Sequence, residues 1–478
     1  MLILKNKFEY ELEKTGDMVV NPVLYISEKI ILENEAVKQL QNVCSIEDSS
    51  KVIITPDVHK GFGVPIGCVW ASRKFISPAA VGYDINCGMR LLLTPFSSDD
   101  VNIKQLADSI RRDIPLGEGK SNITVDYNDL EILLENGVSA IDNIVGKYDN
   151  IKRIFNKKDF ISDLCSIEEN GTIKCSSRFV SDRAKNRGKT QLGTLGGGNH
   201  FIELQRVEQI FNENIAEKFG LFKNQFVIMI HSGSRGLGAE IGDNYMKNAV
   251  KYLESNNMFM PDRELNYFKA DSEFGKNYFE SMNSASNYAF INRQIMAMLV
   301  RRNIRHYYGA DTELPTLYDV SHNILKIEKY NGKDYFVHRK GATRAFSSEF
   351  MKNTRFENTG QPVLIPGSMG TSSYILSGKE TGIKSFFSVN HGAGRIMSRT
   401  KAAGKIARDG KVLSEGIISD ETFKKSMEGI YLICENKKTI KEEAPGAYKD
   451  IDIVIDIVEG AGLAEKTAKT VPLAVLKG

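Results

Sequence analysis

The chain has 478 residues, 41% hydrophobic, 26% charged and 9% aromatic, the mix of a globular protein with enough apolar material for a sizeable core. Its 63 basic and 60 acidic residues leave a formal net charge of only +3, so bulk charge gives no reason to expect nucleic-acid binding, which would have to come from local clustering. No run approaches the roughly 18 apolar residues that span a bilayer. The N-terminal MLILKNKFEYELEK is too short in apolar residues for a signal-peptide core, and the six cysteines form no CxxC pair. A cytoplasmic protein with free thiols and no membrane contact is the expectation.

In chain order, 51–71 (KVIITPDVHKGFGVPIGCVWA) and 79–93 (AAVGYDINCGMRLLL) pair a strand-like apolar run with a Gly-rich polar turn. Residues 101–113 place Val101, Ile103, Leu106 and Ile110 at helical spacing. The stretch 146–190 alternates Lys, Asp, Asn and Arg without periodicity and reads as a charged surface excursion. Strand-and-turn texture returns at 191–204 and 225–238, gives way to helices over 240–254 and 275–308 (a helical insertion around 240–310), and resumes at 315–328, 334–346, 360–376 and 385–399. Residues 435–450 read as a solvated loop. The Gly-rich stretches are dispersed from residue 55 to residue 399, which predicts one α/β (α+β) catalytic domain over 1–478, with central β-sheets flanked by helices.

Four of the seven histidines, His200, His231, His322 and His391, stand where an apolar run yields to small polar residues. Strand ends are where α/β enzymes place chemistry. Imidazole is both a metal ligand and a nucleophile. Asp84 and Cys87, three apart in GYDINCGMR, offer a carboxylate and a thiolate that can reach one ion, and a thiolate can bridge two. Carboxylate, imidazole and one thiolate suit a borderline ion, Mn, Fe, Co or Zn. GTLGGGNH, HSGSRGLG and PGSMGTSS can present backbone N–H groups to phosphate. None matches GxxxxGK[ST], which excludes an ordinary P-loop enzyme. Arg187, Lys189, Arg235, Lys340, Arg344, Arg395 and Arg399 lie in or beside such turns and point to a polyanionic substrate.

DVHKGFGVPIG, GYDINCGMR, LGTLGGGNHFIEL, IHSGSRGLG, DVSHNILKIE, HRKGATRAF, IPGSMGTSSYIL and NHGAGR, in that order, closely resemble the RtcB family of RNA-splicing ligases, from about residue 50 to the terminal Lys477-Gly478. The resemblance implies an RtcB-like fold and a GTP- and Mn²⁺-dependent enzyme. It would join RNA 3′-phosphate or 2′,3′-cyclic phosphate ends to 5′-hydroxyl ends, in tRNA splicing or RNA repair. By motif, Asp84, Cys87 and His200 would hold one Mn²⁺, and Cys87, His231 and His322 a second. His391 would attack the α-phosphate of GTP and carry GMP. Asn199, His200, Phe201, Ile202, Glu203, His322, Asn323, Pro366, Gly367, Ser368, Met369, Ser373, His391, Gly392, Ala393, Gly394, Arg395 and Lys477 would line the nucleotide pocket. RNA is the implied partner of a monomer, with an archease-type protein as the activator the family suggests. Gly197 and Lys60 depart from the family pattern without touching an implied ligand, and His59 receives no metal role. The alternatives from other classes are a metal-dependent phosphoesterase or cyclic phosphodiesterase that never forms a covalent nucleotide, and a noncatalytic RNA scaffold. His391 beside a separate full ligand set speaks against both.

Overall fold

The computed structural model describes residues 1–406, 412–437 and 440–478. The apolar runs form strands of two large sheets. Among the described residues the first runs, in spatial order, Leu2–Asn6, Glu9–Leu12, Val23–Tyr25, Ser49–His59, Ile66–Ser72, Lys333–Lys340, Asn323–Tyr330. The second runs Thr316–Ser321, Gly88–Ser97, Gln225–Ser232, Phe201–Ile210, Ala464–Lys477, Ser373–Gly378, Pro362–Ile365, and Tyr431–Cys434 lies parallel against Ala464–Lys477. Together with the helices this is a mixed α/β protein.

The strand QFVIMIHS (Gln225–Ser232) is buried throughout. Phe226, Ile228 and Ile230 join one apolar cluster, while Val227 and Met229 join another on the opposite face. A continuous apolar run, rather than an alternating one, is what a strand covered on both faces requires.

The expected helix at 101–113 is Ile103–Asp113, and the one at 240–254 is Arg235–Ser255. The third, Glu273–Tyr308, begins at Ser272, whose side chain accepts from the N–H of Gly275. It is central rather than peripheral: every residue from 281 to 301 is buried. Its polar residues have internal partners in place of water. Asn287 bonds Leu134 and Ile173 backbone carbonyls, and Arg301 donates to both carboxylate oxygens of Asp163 at 2.5 and 2.7 Å.

Two expectations are corrected. The stretch 146–190 is not a loose surface excursion. It folds into short helices, among them Lys157–Leu164 and Asp182–Gly188, whose Ile151, Phe160, Ile167, Val180 and Ala184 enter the main core. The missing periodicity reflects segments too short to show one, anchored by buried carboxylates. Residues 435–450 are not a simple solvated loop either. Short helical turns at Ile440–Glu443 and Pro445–Ala447 bury Glu443, Ala444 and Ala447; residues 438 and 439 lie outside the described residues.

Burial alone would raise the carboxyl of Asp163, but the Arg301 charge and hydrogen bonds outweigh it and hold the group at about 2. Glu168 is likewise held at about 2, by Lys326 and Arg344 against desolvation. The ordinary values are 3.8 and 4.5. As pH falls, the unfolded chain takes up these protons first, so the stabilisation is complete above the ordinary values and is lost on the way down to the folded ones. Urea midpoints should therefore be flat above about pH 5 and drop steeply between about pH 4.5 and about pH 2. Asp163→Ala, which strands Arg301 in the core, should cost about 3–5 kcal/mol in the same urea titration at neutral pH.

Candidate metal and nucleotide site

The second sheet gathers the site at one edge. Its register pairs Ser321 with Gly88, Gly88 with Ser232, His231 with Phe201, and Phe201 with Lys477. Cys87 precedes Gly88, His200 precedes Phe201 and His322 follows Ser321, so the strand ends bring together residues up to 235 positions apart in sequence (87 to 322). Asp84 comes from the turn before Cys87. Its Oδ1 accepts from the N–H of Ser234 at 3.1 Å.

The donor atoms form two groups sharing Sγ of Cys87. These are Asp84–Cys87–His200 and Cys87–His231–His322, each with its atoms within 4.8 Å of one another. Sγ lies 3.3 Å from Nε2 of His200 and 3.1 Å from Nε2 of His231, and the latter is 3.3 Å from Nε2 of His322. Nδ1 of His200 donates to the carbonyl of Leu195 at 3.1 Å, which turns Nε2 toward Oδ2 of Asp84, 2.7 Å away. Nδ1 of His231 and of His322 has no partner among the described residues. These rings are instead packed edge-on: His231 against His200, Phe201 and His322 at centroid distances of 5.1–5.3 Å.

Burial holds His231 and His322 far below the ordinary histidine value, hence neutral with lone pairs available. Burial pushes the Asp84 carboxyl up, but His200 and Arg235 bring it down to about 2, so it is a carboxylate. Burial and the Asp84 charge push the Cys87 thiol well up. The thiolate therefore needs a cation at this spot. One group of carboxylate, imidazole and sulfur and a second of two imidazoles and the same sulfur have the donor chemistry that suits borderline divalent ions.

His391 lies outside both groups. It follows the Ser388–Asn390 strand, and its ring sits 4.9 Å from that of His322. Its Nδ1 is 2.6 Å from Oδ2 of Asp57, which also accepts the His391 backbone N–H at 3.2 Å. Asp57 is fully buried, and its other oxygen accepts from Thr55 at 2.6 Å. Burial raises the Asp57 carboxyl, but the His391 hydrogen bond and charge more than reverse this and leave it below the usual range. An ionised acceptor keeps a proton on Nδ1, so in the neutral ring the lone pair sits on Nε2.

The cleft in front of His391 is lined by Asn199, Phe201, His322, Asn323, Pro366–Met369, Gly392–Arg395 and Lys477, all sequence candidates. His59, Gly341, Arg399, Glu443 and Tyr448 line it too. Ile202 packs into the core instead. The hydroxyl of Ser373 sits behind the loop, accepting from the N–H of Gly367 at 3.3 Å. Glu203 is buried beside Gln205, and burial pushes its carboxyl up to about 7. Nδ1 of His59 bonds the Asp57 carbonyl at 2.9 Å, and burial lowers the ring to about 4.

Not every basic residue near a turn serves the cleft. Lys340 is buried, donating to the carbonyls of Phe62 and Ala79. Arg344 pairs with Glu168 and Glu169, and Arg187 with Glu240. Arg395, Arg399 and Lys477 do converge, on Glu443. Sequence reasoning missed Asp57, Glu443 and Tyr448. Asp57 had a signal, a carboxylate two residues before His59 in TPDVHKG, whereas Glu443 and Tyr448 sit in a segment whose composition is that of a solvated loop.

Fold and site define a mixed α/β protein with two candidate metal-binding groups that share Cys87 and a separate, carboxylate-held histidine. Residues 39–478 match the family model described as tRNA-splicing ligase RtcB. The proteins named tRNA-splicing ligase RtcB from Thermococcus kodakarensis and Aeropyrum pernix are each 38% identical to this chain. The alignments cover 99% and 96% of it, and 98% and 96% of the relatives. The relative of the same name from Methanococcus maripaludis is also 38% identical, over 95% of this chain and 94% of its own. The chain belongs to the RtcB family.

A Cβ on Gly233 would lie 2.2 Å from Oδ1 of Asp84. Gly233→Ala should displace that carboxylate and weaken metal binding at the Asp84–Cys87–His200 group by about tenfold or more. The Cys87–His231–His322 group should keep its affinity, so equilibrium dialysis against Mn²⁺ should show one weakened site and one unchanged.

Proposed function

We propose that this protein is an RNA ligase of tRNA splicing and RNA repair that joins 3′-phosphate or 2′,3′-cyclic phosphate ends to 5′-hydroxyl ends, using GTP and two Mn²⁺ ions. The observation that carries the reading is the His391 ring, with Nδ1 committed to Asp57 and Nε2 free beside two ligand groups that do not need it. The family membership and the name its relatives bear, tRNA-splicing ligase, support the same reading.

Asp84, Cys87 and His200 would hold one ion and Cys87, His231 and His322 the other. Bound there, the ions would supply Lewis-acid polarisation of the reacting phosphate. Nε2 of His391 forms a bond to the α-phosphorus of GTP as the bond to pyrophosphate breaks. The ring becomes cationic, and Asp57 stabilises that charge through the Nδ1 proton. An oxygen of the RNA 3′-phosphate then attacks the same phosphorus, releasing Nε2 and its lone pair. The 5′-hydroxyl oxygen bonds the activated 3′-phosphorus as the bond to GMP breaks, and its proton leaves with the departing GMP phosphate. A cyclic phosphate is first hydrolysed to the 3′-monophosphate. Phe201, Asn199, Pro366–Met369 and the Gly392–Arg395 turn would enclose the nucleotide, and buried Glu203 and Lys477 would mark the far end of its pocket. The glycines of the turn permit close backbone approach, and Arg395 neutralises phosphate charge.

GTP labelled in the α-phosphate should label the protein covalently in Mn²⁺. His391→Ala should abolish the label while retaining metal; labelling that survives in it overturns the nucleophile assignment. Asp57→Asn should keep metal but slow labelling on the order of a hundredfold or more, because the amide can favour the wrong tautomer. Direct joining of 3′-phosphate and 5′-hydroxyl RNA ends tests the reaction as a whole.

A further inference from the structure

Arg293, in the middle of the Glu273–Tyr308 helix, is completely buried behind the metal ligands. Its Nη1 donates to the carbonyl of Asn86 at 2.8 Å and to that of Ser232 at 2.9 Å. Nη2 donates to Oδ1 of Asn86 at 3.2 Å and to Oδ1 of Asp319 at 2.8 Å, and Nε completes the fork on Asp319 at 3.0 and 3.1 Å. Asn86 immediately precedes Cys87, and Ser232 immediately follows His231. Asp319 belongs to the Thr316–Ser321 strand, which ends where His322 begins. One guanidinium thus holds the backbone beside two members of the Cys87–His231–His322 group and the strand that delivers the third.

Three features make this grip consequential. The rings of His231 and His322 lack the Nδ1 hydrogen bond that orients most metal-binding histidines, so their placement depends on their backbone. Asn86 stands in the left-handed region at φ 53°, which turns the chain just before Cys87, and its Nδ2 donates to the carbonyl of Ser286 on the same long helix at 2.7 Å. A Cβ at Gly88 would lie 3.1 Å from the Arg293 guanidinium carbon and 2.5 Å from the Val320 carbonyl, so the residue after Cys87 leaves room for the guanidinium. Lysine carries three donors on a single point and cannot meet two carbonyls, an amide oxygen and a carboxylate together, whereas the planar fork does.

We propose that Arg293 is a positioning residue for the metal pair, setting the separation of Cys87 and His231 that lets one sulfur serve both ligand groups. The proposal rests on the two-metal reading given above. Arg90 supplies the contrast. It is equally buried and donates to the same Asp319 at 2.8 Å and to Gln294 at 2.5 Å, yet it makes no hydrogen bond to the backbone of Asn86 or Ser232.

The test loads wild type, Arg293→Lys and Arg90→Lys with Mn²⁺ alone and records electron paramagnetic resonance spectra, Mn²⁺ affinity and thermal melting. Wild type should show a spin-coupled manganese pair. Arg293→Lys should remain folded but give uncoupled signals and bind Mn²⁺ about 10–100-fold more weakly. Arg90→Lys should lose thermal stability yet keep the coupled pair and its affinity. Coupling and affinity intact in Arg293→Lys, or lost equally in Arg90→Lys, overturns the proposal. Should Arg293→Lys fail to fold, Asn86→Ala removes one contact of the fork and should weaken coupling in the same direction; unchanged coupling there overturns it too. Wild type without a coupled pair defeats the two-metal reading itself, an outcome distinct from the others.

Discussion

A buried sulfur ringed by two imidazoles and a carboxylate-held third has no good internal solution. Metal binding asks each inward Nε2 to present its lone pair. Asp84 is an acceptor, and the Cys87 proton can satisfy one neighbour at most. Bringing so many acceptors within a few ångströms of one another is costly unless cations take the place of the missing donors. The rest of the structure serves to hold this otherwise unfavourable cluster together. Five strand ends meet at one sheet edge, a helix buried over 21 residues from 281 to 301 stands behind it, and ionised side chains in the core find partners across the chain.

The proposed nucleophile comes from elsewhere in the fold. The candidate ligands Cys87, His200, His231 and His322 sit at the ends of strands in the second sheet. His391 is oriented by Asp57, from the Ser49–His59 strand of the first sheet. The cleft lies where the two sheets meet, which allows one imidazole to stand 4.9 Å from a ligand ring without joining the ligand set. A single hydrogen bond across 334 positions of sequence holds Nδ1 of His391 on Asp57.

Buried charge recurs away from the cleft. Asp163 with Arg301, Asp319 with Arg90 and Arg293, and Glu168 with Lys326 and Arg344 each tie the 157–169 region or the neighbouring strands to the core. Apolar side chains would fill such volumes at less desolvation cost, but they are not directional. Hydrogen-bonded ion pairs are directional, which suits a site whose candidate ligands come from four separate segments.

Much of the chemistry was legible in the residues alone. Histidines at strand-to-turn junctions, Asp84 and Cys87 three apart, and glycine-rich turns are local signals, and local sequence encodes strand ends and turns directly through side-chain period and backbone freedom. What the tertiary structure alone decided were the partners. Nothing near Asp57 in sequence points to His391, and Arg293 reads as one polar residue in an amphipathic helix. Glu443 reads as a loop charge until Arg395, Arg399 and Lys477 close around it. The charged stretch 146–190 looked external because composition reports solvation only on average, while burial depends on whether each charge meets its counterpart. The sequence by itself determined which groups could do chemistry; folding decided which nitrogen is free, which charges are paired and which backbone is held, because those depend on distances between residues that sequence places far apart.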